Sequence, residues 1–173
     1  MKLPPAHLHV DVYLILGSVV VLYLWAWQQR PASADPDRRR RITFFSIGMG
    51  VLALGASWPI HDLAEEYLYG AHMVQHMLFQ LVAAPLIVVG IPAWMWRAIF
   101  KPVWMMAVWK KITRPVPALI IFNVVLLFGH WPAVVELALR SELAHFSIHF
   151  AMVFSAVIMW WPVLSPLPEA PAL

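Results

Sequence analysis

Residues 72–96 read HMVQHMLFQLVAAPLIVVGIPAWMW, a stretch without a single Asp, Glu, Lys or Arg. At 1.5 Å of rise per residue, a helix of this length covers the roughly 30 Å of a bilayer's hydrocarbon core. A helix apolar on every face over that distance belongs in lipid or in the deep core of a large protein. This chain has 173 residues, 62% of them hydrophobic and only 12% charged, with a mean hydropathy of +0.73. A chain of that composition lacks the polar surface to coat a soluble core, so the bilayer is the expected solvent. Only helices and closed barrels satisfy their backbone there, and continuous apolar runs predict helices.

Working outward, four more apolar runs appear: 10–27, ending in Trp25 and Trp27 as headgroup-level anchors; 42–60; 116–131, closed by Gly129-His130-Trp131-Pro132; and 143–161, closed by Pro162. Pro85 and Pro92 predict kinks within 72–96. Residues 97–114 mix Lys101, Lys110 and Lys111 with Trp104, Met105, Met106 and Trp109, a composition suited to lying in the interface. The expected fold is all-α: a polytopic transmembrane helix bundle of about five spans (10–27, 42–60, 72–96, 116–131, 143–161) plus an interfacial segment, forming one integral membrane domain over residues 1–173. The start of the chain lacks the pattern of a cleaved signal peptide, so the first run is expected to be retained.

The net charge of +3 comes from Lys and Arg clustered beside apolar runs, which is how orientation signals look, and it argues against nucleic acid as a partner. Placing Arg38–Arg41 inside puts ten of the twelve basic residues inside and leaves Lys2 and Arg140 outside. That sets the N-terminus outside and the C-terminus inside. With no cysteine, disulfides, thiolate metal sites and cysteine nucleophiles are excluded.

In this topology all eight histidines fall at the outer side: His7, His9, His61, His72, His76, His130, His145 and His149. Histidines scattered for packing would have no reason to avoid the inner half. His72 with His76, and His145 with His149, have the i, i+4 spacing that puts two rings on one helix face, close enough to share an ion. Imidazole suits copper, zinc, iron and nickel, and the thioethers of Met73 and Met77 favour Cu(I). The candidate ligands are His72, His76, His130, His145, His149, His61, Met73 and Met77. His7 and His9 read as solvated, and Asp62, Glu65 and Glu66 as a solvated acidic loop. Met49, Met95, Met152 and Met159 read as packing. Gln75, Gln80 and Asn123 read as groups joining helices by hydrogen bonds.

Gly70-Ala71-His72-Met73-Val74-Gln75-His76-Met77-Leu78, then Ala83-Ala84-Pro85-Leu86 and Gly90-Ile91-Pro92, resembles the multi-pass CtaG family of caa-type cytochrome c oxidase assembly factors. Phe122-Asn123, His130-Trp131-Pro132, His145 with His149, and Trp160-Trp161-Pro162 look like that family's second block, so the likeness covers about 42–168. It implies a non-enzymatic protein of the bacterial plasma membrane that binds or delivers copper while an oxidase matures. Oxidase subunits, the lipid bilayer and a copper chaperone are the implied partners. Family members usually continue through further spans, so this chain reads as a short form or a fragment. Two other readings stand beside copper handling: a haem-binding membrane cytochrome with histidines as axial ligands, and a metal-free scaffold for oxidase subunits. A metallohydrolase is disfavoured because no HExxH or comparable motif is present.

Overall fold

A computed structural model describes residues 10–31, 35–58, 60–61 and 69–170. His7, His9, Asp62, Glu65 and Glu66 lie outside the described residues. All regular structure among the described residues is helical. The chain divides into two compact units, Met1–Gly90 and Ile91–Leu173.

The first unit contains α1 (Val10–Gln28), α2 (Arg38–Gly55), α3 (Tyr69–Met77), a π-helical turn (Leu78–Ala83) and α4 (Ala84–Gly90). The expected kink near Pro85 takes the form of that wide turn, in which the Ala84 N–H donates to Phe79 O, five residues back. Proline has no N–H to give and its ring crowds the carbonyl four residues earlier. Widening the preceding turn lets the helix continue, as such bulges do elsewhere. Helix α4 and α2 approach closely through glycines on both sides. A Cβ on Gly90 would lie 2.6 Å from the Phe45 backbone N, and one on Gly48 would lie 3.1 Å from the Ala83 carbonyl O. Small residues are how membrane helices reach such contact. Tyr23 of α1 stacks on Phe45 at 3.8 Å and its Oη donates to the Gly90 carbonyl at 2.8 Å, so α1, α2 and α4 share one joint.

Arg38–Arg41 occupy the first turn of α2, where cations oppose the helix dipole. Arg41 is held by Asp35 at 3.1 Å and donates to Val89 O at 3.3 Å. The Arg38 guanidinium lies 5.3 Å from the Trp27 ring centroid. Trp27, expected as a headgroup anchor, is instead 1% exposed, because packing beside Tyr23 and Arg38 removes it from the surface; Trp25 remains exposed.

The second unit contains α5 (Ala93–Ile99), α6 (Val103–Ile112), α7 (Pro115–Gly129), α8 (Pro132–Arg140) and α9 (Glu142–Leu164). The run 72–96 is therefore not one helix. It breaks after Gly90, and Pro92 caps α5 in an extended conformation. Helices α7 and α9 pack where Gly129 leaves room for the Met152 methyl group. Trp96, Phe100, Trp109 and Trp161 form a buried aromatic nest, and the Trp161 indole N–H holds the tail through Ala170 O at 3.1 Å. Helix α8 lies between the apolar runs 116–131 and 143–161.

Two helical stretches among the described residues are long and apolar enough to cross a membrane, Gly70–Gly90 (21 residues) and Glu142–Leu164 (23 residues). The pair α6 and α7 also qualifies together, bent by 83°, which gives up to three. That is fewer than the expected five or so. The shortfall has physical causes: α2 gives its first four positions to arginine and ends at Gly55, and α7 has only 15 residues between Pro115 and Gly129. One side of α7 nonetheless exposes Val116, Leu119, Ile120, Val124, Leu127 and Phe128, which suits contact with lipid rather than water.

Candidate metal-handling histidines

The six described histidines divide between the units, with His61, His72 and His76 in the first and His130, His145 and His149 in the second. In α3 the i, i+4 spacing brings the His72 and His76 Nε2 atoms to 2.7 Å, with ring centroids 4.2 Å apart and planes at 78°. Two imidazole nitrogens at that distance share a proton, so one ring donates its Nε2–H and the other accepts as the Nδ1–H tautomer. Two nitrogens each about 2.0–2.1 Å from one ion at a tetrahedral angle stand about 3.3 Å apart. Admitting an ion needs an opening of only about 0.6 Å and a change of tautomer in the donor ring, its proton moving from Nε2 to Nδ1 so that both Nε2 lone pairs face the ion. His76 is buried and His72 half-buried, so the pair has a closed side and an approachable side.

Gln75 is fully buried between them in sequence and joins α3 to the end of α2, as its type and place suggested. Its Nε2 donates to Gly55 O at 2.8 Å and lies 3.0 Å from His61 Nδ1. A carbonyl only accepts, so the amide nitrogen must face Gly55, and His61 Nδ1 then accepts the second amide proton. The proton of neutral His61 sits on Nε2. In this tautomer His61 offers no lone pair to an ion and serves as a fixed buried post. Sequence spacing gave no sign of this, because the Gly55 carbonyl comes from another helix. Met73 lies half-buried one position along from His72; Met77 is 57% exposed and about 100° around the helix from His76.

In the second unit His130 caps α7, and its Nδ1 lies 2.7 Å from Leu126 O. The carbonyl again fixes the tautomer: Nδ1 carries the proton and Nε2 the lone pair. Backbone anchoring of one ring nitrogen is the usual way to orient the other toward a metal. His145 and His149 lie one turn apart on α9 with centroids 4.5 Å apart, half-buried. The Ser141 hydroxyl accepts from the Ala144 N–H and starts the helix that carries them. Met49, Met95 and Met152 are buried in packing, as expected, and Met159 is half-buried. Asn123 differs from expectation: its amide donates to Leu119 O on its own helix and joins nothing else through that bond. Away from the histidines, Arg97 Nε binds Glu169 Oε1 at 2.8 Å, which raises the guanidinium and lowers the carboxyl from their ordinary values.

The model of the family described as cytochrome c oxidase caa3 assembly factor (Caa3_CtaG) matches residues 21–173, a range that contains all six of these histidines. No curated protein and no solved structure matches the chain.

Proposed function

The chain belongs to the family of cytochrome c oxidase caa3 assembly factors, and from that premise we propose that it holds copper in transit at the outer membrane face and passes it to an oxidase subunit. The observation that carries this reading is the 2.7 Å approach of His72 Nε2 to His76 Nε2. Copper is cargo here. A cargo site needs ligands that are close enough to capture an ion and few enough to release it, and a two-imidazole clamp with one exposed edge meets both needs. His130, oriented through Nδ1, and the His145/His149 pair supply a second set of imidazoles, and Met73 a thioether for the reduced ion. His61 joins only by giving up its bond to Gln75. The protein acts without turning over a substrate bond, and a copper chaperone supplies the ion. A haem reading fits this pair poorly, since axial imidazoles face each other across a porphyrin, whereas these rings rise side by side on one helix.

The test is metal analysis by mass spectrometry on protein purified from copper-replete membranes. Wild type is expected to carry copper, His72→Ala/His76→Ala to lose most of it, and His145→Ala/His149→Ala to lose a smaller share. Wild-type protein with copper only at background would leave the metal-free scaffold as the better reading.

The same proposal sets the chain in the plasma membrane with the N-terminus outside and the C-terminus inside. The chain has no cysteine, so single cysteines report cleanly. Cysteine at Glu136 is expected to react with an impermeant thiol reagent in intact cells, and cysteine at Lys111 only after permeabilisation. The reverse pattern would overturn the orientation, and with it the outward placing of the histidines.

A further inference from the structure

The histidine chemistry leaves unused a cleft of about 490 Å³ along α6, lined by the cations Arg97, Lys101 and Lys110 and by apolar Phe100, Val103 and Met106 among others. Each lysine directly follows a buried aromatic residue, Phe100 or Trp109, and those two rings stack at 4.6 Å with planes at 29°. Trp161 closes the stack edge-on, 4.9 Å from Trp109 and 6.2 Å from Phe100. The backbone positions of Lys101 and Lys110 are thus clamped to each other through the nest beneath them. Two exposed lysines rooted beside buried, stacked rings present their charges to one cleft from fixed backbone positions, which lysines on a mobile loop would not do.

Arg97 is engaged by Glu169 at 2.8 Å, so three cations less one carboxylate leave a net charge of +2 at the cleft. Beside this charge stand apolar groups turned outward: Val103 is 86% exposed and Trp104 69%. In water that surface is unfavourable. At the boundary between headgroups and acyl chains it is what an interfacial helix presents, and α6 meets α7 at 83°. Cations and exposed apolar side chains side by side on one cleft match an amphiphile with an anionic head.

We propose that this cleft binds an anionic phospholipid, with the phosphodiester between Lys101 and Lys110 and the glycerol and upper acyl region over Val103 and Met106. The site depends on the chain lying in a membrane and is independent of copper. A basic side chain near an anionic membrane surface contributes about a fivefold preference, so the two lysines together give about thirtyfold.

The experiment is native mass spectrometry of the full, delipidated chain in detergent, titrated with phosphatidylglycerol or phosphatidylcholine. Wild type is expected to bind phosphatidylglycerol about thirtyfold more tightly. Lys101→Gln and Lys110→Gln should each lower that preference about fivefold, the double variant should abolish it, and Lys101→Arg/Lys110→Arg should keep it. The single variants alter exposed side chains, so they report even if the double variant does not fold. Equal affinity for the two lipids, or an undiminished preference in the single variants, overturns the proposal. Displacement of phosphatidylglycerol by millimolar inorganic phosphate also overturns it, since it would mark a site for the free anion.

Discussion

Replacing His72 and His76 together by Ala is expected to lower assembled, copper-loaded oxidase at least tenfold while the variant remains in the membrane at near wild-type abundance. The expectation rests on a separation between folding and cargo. In α3 the two rings bind each other, whereas the joint to α2 runs through Gln75 and the Gly55 carbonyl. Alanine favours helix more than histidine does, which offsets part of the space left by the buried His76 ring. Each lost imidazole, in contrast, removes a ligand with no neighbour on that helix face to replace it except Met73. The measurement is the oxidase absorbance spectrum and activity in membranes, with the abundance of the variant followed alongside. Gln75→Ala is the informative partner. It frees His61 and cuts the α2–α3 joint, so it should lower the abundance of the chain itself. Normal oxidase in cells rich in the double-alanine variant would remove copper handling through this pair and favour a scaffold.

The placing of the histidine pairs was legible because i, i+4 spacing on a helix leaves little choice. Their protonation was not. Whether a histidine presents a lone pair depends on what faces its other nitrogen, and for His61 that is an amide anchored on the Gly55 carbonyl, while for His130 it is the carbonyl of Leu126. The first of these partners arrives through tertiary packing. Hydropathy found the apolar run at 72–96 and its prolines, yet not that Pro85 would be absorbed by a π-helical turn while Pro92 would end the helix. The difference is local: the turn before Pro85 widens so that the Ala84 N–H reaches Phe79 O and the helix continues, whereas before Pro92 the helix stops at Gly90 and Pro92 takes an extended conformation. Runs such as 42–60 and 116–131 look like spans by composition, but composition does not say where a helix starts and stops. The arginines of α2 and the glycine and proline ends of α7 shorten them. The aromatic nest of Trp96, Phe100, Trp109 and Trp161 was invisible for another reason: its members read equally well as interfacial anchors.

The glycines of the first unit give the sharpest test of its packing. At Gly90 a methyl group would meet the Phe45 backbone N at 2.6 Å and Cα at 2.8 Å, and backbone of a packed helix cannot swing aside. The helices must part instead, which also strains the Tyr23 bond to the Gly90 carbonyl and the Tyr23–Phe45 stack. Overpacking of this kind costs about 1–3 kcal/mol, and Gly90→Ala is expected at the upper end because three helices share the joint. Gly48→Ala is expected to cost less, since its contacts are looser: Ile87 Cγ1 at 3.0 Å, Ala83 O at 3.1 Å and Leu86 Cβ at 3.3 Å. At Gly50 nothing lies within 4 Å of a Cβ, so Gly50→Ala should be neutral or stabilise α2 by up to about 1 kcal/mol through helix propensity. Thermal denaturation in one detergent, followed by loss of the monodisperse peak, ranks the three. The order Gly50→Ala, then Gly48→Ala, then Gly90→Ala from most to least stable is the expected result. A Gly90→Ala protein that melts with Gly50→Ala would mean that α2 and α4 do not meet as closely as this packing requires.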